Sequence, residues 1–107
     1  MAFDRWATGG LLVLAAAAAS AEPTADRQRE LVRLVRQDCG SCHGMTLAGG
    51  LGPPLLPERL RERGAAAMVQ TILHGRPGTP MPPWQPFLDA AEAQWIVDRL
   101  LEGFPER

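Results

Sequence analysis

Apolar residues recur at helical spacing in three separate stretches of the chain, and no stretch alternates apolar and polar residues for long enough to make a strand. In the first, Leu31, Leu34 and Val35 share one side of a helix expected over Ala25 to Asp38, while Arg29, Arg33, Arg36 and Gln37 cover the rest. Thr24 is placed to cap its start, and Asp26 sits at the positive end of its dipole. In the second, Met68, Val69, Ile72 and Leu73 recur within Ala65 to His74, and Gly75 followed by Pro77 stops the helix. Asp89 opens the third, with Glu92 as capping-box partner and with Trp95, Ile96, Val97, Leu100 and Leu101 as a broad apolar face that ends at Gly103 and Pro105. The pattern predicts an all-α fold of three main helices joined by long ordered loops, with no internal repeat.

The loops have a composition of their own. Gly40 to Arg63 is rich in Gly and Pro, densest at Gly49 to Pro54, and leaves room for one short helical turn near Glu58. Arg76 to Pro86 is again proline-rich, so that eight of the 10 prolines lie between Pro53 and Pro86. Fixed φ angles make these loops stiff.

The first residues do not belong to this pattern. Arg5 precedes an apolar run from Leu11 to Ala19, and Ala19-Ser20-Ala21 precedes Glu22, as in a secretory signal with a small-residue cleavage site. The run from Ala7 to Ala21 is shorter than the ~20 residues a spanning helix needs. A cut after Ala21 leaves residues 22–107 as one domain, exported to the periplasm and free of the membrane. A domain of that size has a marginal side-chain core, so a staple or cofactor is expected to complete it.

Charge narrows the function. With 107 residues, 46% of them hydrophobic, and a formal net charge of −1, the chain lacks the basic face that nucleic acid demands. Arg59, Arg61 and Arg63 alternate with Glu58 and Glu62 in the manner of a solvated helix face.

The chemistry lies in Cys39-Gly40-Ser41-Cys42-His43, the C-x-x-C-H pattern of covalent haem attachment. Two thiols one helical turn apart can add to the two vinyl groups of haem, which brings the next residue's imidazole under the iron. A dithiol of the thioredoxin kind would open a helix after a strand, but this pair follows a helix and no βαβ pattern is present. Zinc would need four ligands, whereas the chain offers the two cysteines, His43 and the distant His74.

A second axial ligand can come from Met45, Met68, Met81 or His74. Met45 is too close to His43 along the chain to reach the opposite haem face, and Met68 falls on the apolar stripe of its helix. Met81 lies in Gly78-Thr79-Pro80-Met81-Pro82-Pro83-Trp84, where prolines hold an extended backbone and Gly75 and Gly78 permit close approach. His74 is its main rival. Polar contact, for instance with a haem propionate, is expected of it instead of ligation, and Arg76 can pair with a propionate too. The loop Gly52-Pro53-Pro54-Leu55 can supply the carbonyl that orients the His43 ring.

Cys39 to His43, Gly52 to Leu55 and Met81-Pro82, taken in order, resemble class I bacterial cytochromes c over nearly the whole of residues 22–107. The resemblance implies a fold in which the first and last helices cross, with Trp95 packed at the crossing and one haem edge exposed. It also implies His43 as proximal ligand, Pro53 as its carbonyl partner and Met81 as distal ligand. More closely, Arg36 to Gly44, Leu73 to Gly78 and the Gly103-Phe104-Pro105-Glu106 ending look like the small periplasmic cytochromes encoded with the denitrification (cytochrome cd1) nitrite reductase and the haem d1 biosynthesis proteins. The expected function is single-electron transfer with one haem c and no catalytic residue. Redox proteins of the nitrite reductase or haem d1 system are the expected partners, and the chain is expected to be a monomer or weak dimer. Two other readings belong to different classes: an accessory role in haem d1 assembly or delivery, and a sensor or enzyme in which the sixth ligand detaches.

Overall fold

A computed structural model describes residues 9–11 and 22–106. The expected export segment, residues 1–21, falls outside them apart from residues 9–11. Helix α1 spans Ala25–Leu34 and starts where Thr24 Oγ1 accepts the Arg27 N–H at 3.2 Å. The chain then passes without a break through a π-helical turn, Val35–Cys39, into α2, Gly40–His43. The helix expected to end at Asp38 therefore runs through the whole cysteine motif. Gly40 reads as a breaker, yet it is buried and helical, and an added Cβ would stand only 3.6 Å from the Met45 Cα.

A short helix, α3, covers Pro57–Leu60 with proline in its first turn, where a missing N–H costs nothing. Helix α4 spans Ala65–His74 and α5 spans Ala90–Glu102. The α5 capping box is formed: Asp89 Oδ1 accepts the Glu92 N–H at 2.7 Å and Glu92 Oε1 accepts the Asp89 N–H at 3.0 Å. Among the described residues there is no strand, and the all-α expectation holds.

The core joins α1, α4 and α5. Leu31, Val35, Ile96 and Val97 are fully buried, and Met68, Val69, Leu73 and Trp95 close around them. Each fully buried Leu, Ile or Val contributes about 2 kcal/mol, more than a typical ion pair at the surface. Trp95 meets Phe104 edge to face, with centroids 6.5 Å apart, and the Arg99 guanidinium lies 5.6 Å above its ring. Arg59, Arg61 and Arg63 are all exposed to solvent.

Two arginines, Arg27 of α1 and Arg36 of the π-helical turn, reach across to α5 and to the segment that follows it. Arg27 pairs with Glu92, donates to Glu30 Oε2 at 2.9 Å and donates to the Phe87 carbonyl at 3.1 Å. Arg36, in the π turn, donates to the carbonyls of Phe104 at 2.8 Å and Pro105 at 3.1 Å. The Arg27 guanidinium, bonded to Glu92, holds the Glu92 carboxyl below the usual carboxylate range. A carboxyl lowered by folding gives stability that is full above its unfolded pKa and is lost as pH falls through the folded value. Arg27→Met should therefore cost about 1 kcal/mol at neutral pH. Urea melts at stepped pH should show that deficit shrinking as acid protonates Glu92; a deficit unchanged through the carboxylate range would contradict this.

Candidate functional site

The continuous helix puts Cys39 and Cys42 one turn apart as free thiols, Cys39 half-buried against the core and Cys42 exposed. The following loop folds back onto the end of α2. Gly49 donates its N–H to the His43 carbonyl at 2.8 Å, and Gly52 donates to the Cys42 carbonyl at 2.7 Å, so backbone groups orphaned at the helix end find partners. This return brings the Pro53 carbonyl oxygen to 2.7 Å from His43 Nδ1. A carbonyl only accepts, so the proton sits on Nδ1 and the Nε2 lone pair is left for a metal. Gly52 is required by the same closeness: a Cβ there would stand 2.8 Å from both Nδ1 and Cε1 of the ring.

The loop after α4 is tied down just as firmly. Pro82 and Pro83 have no N–H to give, and the next two residues supply the bonds: Trp84 donates to the Ile72 carbonyl at 2.9 Å and Gln85 to the Leu73 carbonyl at 3.2 Å. Arg76 donates its N–H to the Met81 carbonyl at 3.2 Å. The Thr79 hydroxyl donates to the Arg76 carbonyl at 2.7 Å and accepts the Met81 N–H at 3.3 Å. Met81 is thus presented, half-buried, on a backbone closed at both ends.

Of the other residues weighed from sequence, Met68 is in the core, Met45 is 67% exposed, and His74 is exposed at the end of α4. Thr79 was not legible as a site residue; its one signal is a hydroxyl two positions before Met81 in a proline-rich turn.

The donor set discriminates between chemistries. Burial pushes the Cys39 thiol up to about 11, with the neighbouring Asp38 charge adding to the shift. A thiol so raised stays protonated at neutral pH, the opposite of the lowered thiolate that dithiol oxidoreductases use. Among the described residues no three His, Cys, Asp or Glu side chains gather as a metal-holding group, which leaves no zinc site of the usual kind. Two thiols one turn apart, an imidazole with its Nδ1 committed to a carbonyl, and a thioether on a stiff loop fit a c-type haem.

Known proteins agree with that fit. Residues 26–98 match the family described as cytochrome c oxidase, cbb3-type, subunit III. Cytochrome c55X of Pseudomonas aeruginosa is 55% identical over 85 residues, covering 79% of this chain and 71% of the relative. The solved structure of the c-type cytochrome NirC is 58% identical with a TM-score of 0.75, covering 76% of this chain and 95% of that one. A solved structure of dihydro-heme d1 dehydrogenase NirN in complex with DHE is 44% identical with a TM-score of 0.62, and the match covers 70% of this chain but 16% of that larger protein. With the family's pattern spanning most of the chain and such identity to cytochrome c55X, the protein belongs to the c-type cytochromes of that family.

Proposed function

We propose that this protein is a periplasmic single-electron carrier in denitrification, with one haem c held covalently by Cys39 and Cys42 and ligated by His43 and Met81. The haem, when bound, supplies a one-electron iron couple. Cys39 and Cys42 tether it to a helix that packs on the core. The Pro53 carbonyl holds the His43 ring in one tautomer and raises the basicity of Nε2. The Met81 thioether, a soft ligand, favours the reduced iron and raises the potential. The observation that carries the reading is the 2.7 Å contact between His43 Nδ1 and the Pro53 carbonyl, which leaves the Nε2 lone pair open to a metal.

On this reading residues 1–21 direct export and residues 22–107 remain; among the described residues no helix is long and apolar enough to cross a membrane. The partners proposed are redox proteins of the nitrite reductase and haem d1 system. The likeness to a segment of a dihydro-heme d1 dehydrogenase also favours a second reading, electron exchange during haem d1 maturation. A stable complex with maturation proteins that forms equally in both redox states would select an assembly role over electron supply.

Met81→Ala tests the ligand assignment. It should abolish the sulfur-to-iron band at the red end of the visible spectrum and lower the reduction potential by on the order of 0.2 V. An unchanged spectrum and potential would reject Met81.

A further inference from the structure

One residue of the loop behind His43 is out of keeping with its backbone. Leu47 has φ +61° and is, among the described residues, the only one other than glycine with a positive φ. A Cβ in that conformation crowds the following carbonyl, which is why such positions usually go to glycine or asparagine. The loop does not lack glycine, since Gly44, Gly49, Gly50 and Gly52 surround the position. What leucine brings is burial. Leu47 is 2% exposed and belongs to the core, whereas every other residue from Ser41 to Arg59 is half-buried or exposed. Backbone strain persists only where the surrounding contacts hold it, and here the contact is with the core.

The backbone of Leu47 joins the two limbs of the loop. Its N–H donates to the Gly44 carbonyl at 2.8 Å, and its carbonyl accepts the Leu55 N–H at 2.8 Å. Leu55, half-buried against the same core, follows Pro53 by two residues. Pro53 itself is exposed and has no N–H, so the carbonyl that orients the His43 ring has no anchor of its own. We propose that Leu47 is the positioning residue of the proximal ligand: its side chain pins the loop to the core, and through the bond to Leu55 it holds the Pro53 carbonyl on His43 Nδ1. With that bond kept, the ring holds one orientation and Nε2 its raised basicity. The proposal rests on His43 as the haem ligand and deepens that reading by naming what keeps Nδ1 committed.

Leu47→Gly separates side chain from backbone, because glycine is at ease at this φ and buries nothing. In reduced holoprotein carrying isotope-labelled histidine, NMR reads the exchange of the His43 Nδ1 proton with heavy water. That proton should exchange at least about tenfold faster in Leu47→Gly than in the parent, the factor set by one hydrogen bond of ordinary net strength. Leu47→Met, which restores an apolar side chain of like volume, should return the rate to within about twofold of the parent's. Leu100→Ala removes a comparably buried leucine from α5, and should lower the urea midpoint while leaving the Nδ1 exchange rate unchanged. A Leu47→Gly protein whose Nδ1 proton is as protected as the parent's overturns the proposal. So does a Leu100→Ala protein that loses the protection equally, since any weakened core would then have the same effect. Should Leu47→Gly take up no haem, the unsubstituted holoprotein decides: its His43 Nδ1 proton and its Leu55 N–H should share one dependence on low urea concentration, because a single opening frees both. Unequal dependence overturns the proposal. A His43 ring without the ring-current shift of a haem ligand rejects the ligand reading and the proposal with it; a shifted ring whose exchange is unaltered in Leu47→Gly rejects the proposal alone.

Discussion

Replacing Cys39 and Cys42 together by Ala is expected to leave a chain without covalent haem that loses most of its helical signal at 25 °C. The substitutions themselves remove little packing. Cys42 is exposed and Cys39 half-buried, so the lost sulfur atoms account for about 1 kcal/mol. The side chains alone provide a thin margin, because among the described residues only Leu31, Val35, Ile96 and Val97 are fully buried larger side chains. A core on this scale rarely supplies more than about 3–5 kcal/mol, and ordering each residue of the long loops costs about 1–2 kcal/mol, so without a bound group the folded chain has no margin. A group that binds the folded chain alone shifts that balance by several kcal/mol, on the order of 4 kcal/mol at a thousandfold excess over its dissociation constant. The loss should therefore far exceed the packing term. Far-ultraviolet circular dichroism and urea melts would read it, and a double variant melting cooperatively at the parent's midpoint would show that the core stands without haem.

Where folding is decided locally, the chain announces it. Helix α4 ends at His74 because Gly75 and Pro77 follow, and the Asp89 and Glu92 pair marks the start of α5 four residues before any apolar periodicity is complete. The Cys-x-x-Cys-His spacing points to c-type haem by the same local logic, since two thiols and an imidazole need only one helical turn to stand together. Gly40 misleads because burial in a continuous helix outweighs its weak helical propensity. Arg27 and Arg36 carry no local signal at all: their partners lie 65 and 68 residues away, and surface arginines on α1 and the π-helical turn look alike until the end of the chain packs beside them. Thr79 is hidden for a related reason. Its bonds to Arg76 and Met81 exist only once the loop has closed, and an isolated threonine among prolines gives no hint of closure.

The position of that loop rests on one glycine, and Gly75→Ala is expected to displace Met81. Gly75 has φ +72° and ψ −175°, a region in which only glycine is at ease, so alanine there costs about 1–3 kcal/mol before any contact is counted. Contact adds to it. The new Cβ would stand 2.7 Å from the Met81 carbonyl oxygen and 3.0 Å from backbone atoms of Pro82 and Pro83. These are main-chain atoms of a segment bonded on one side to Arg76 and on the other to Ile72 and Leu73, so no side-chain rotation can relieve the clash. Either the loop moves or the end of α4 unwinds. Gly78→Ala separates the two effects, because Gly78 also has a positive φ, +77°, but its added Cβ would meet nothing within 4 Å. That variant should lose about 1 kcal/mol of stability and keep the red-end absorption band of a Met81-ligated iron. Gly75→Ala should lose stability and the band together, and should bind carbon monoxide rapidly in the reduced state. Retention of the band in Gly75→Ala would mean that the thioether reaches the iron without this close backbone approach, and Gly75 would then serve only to end the helix.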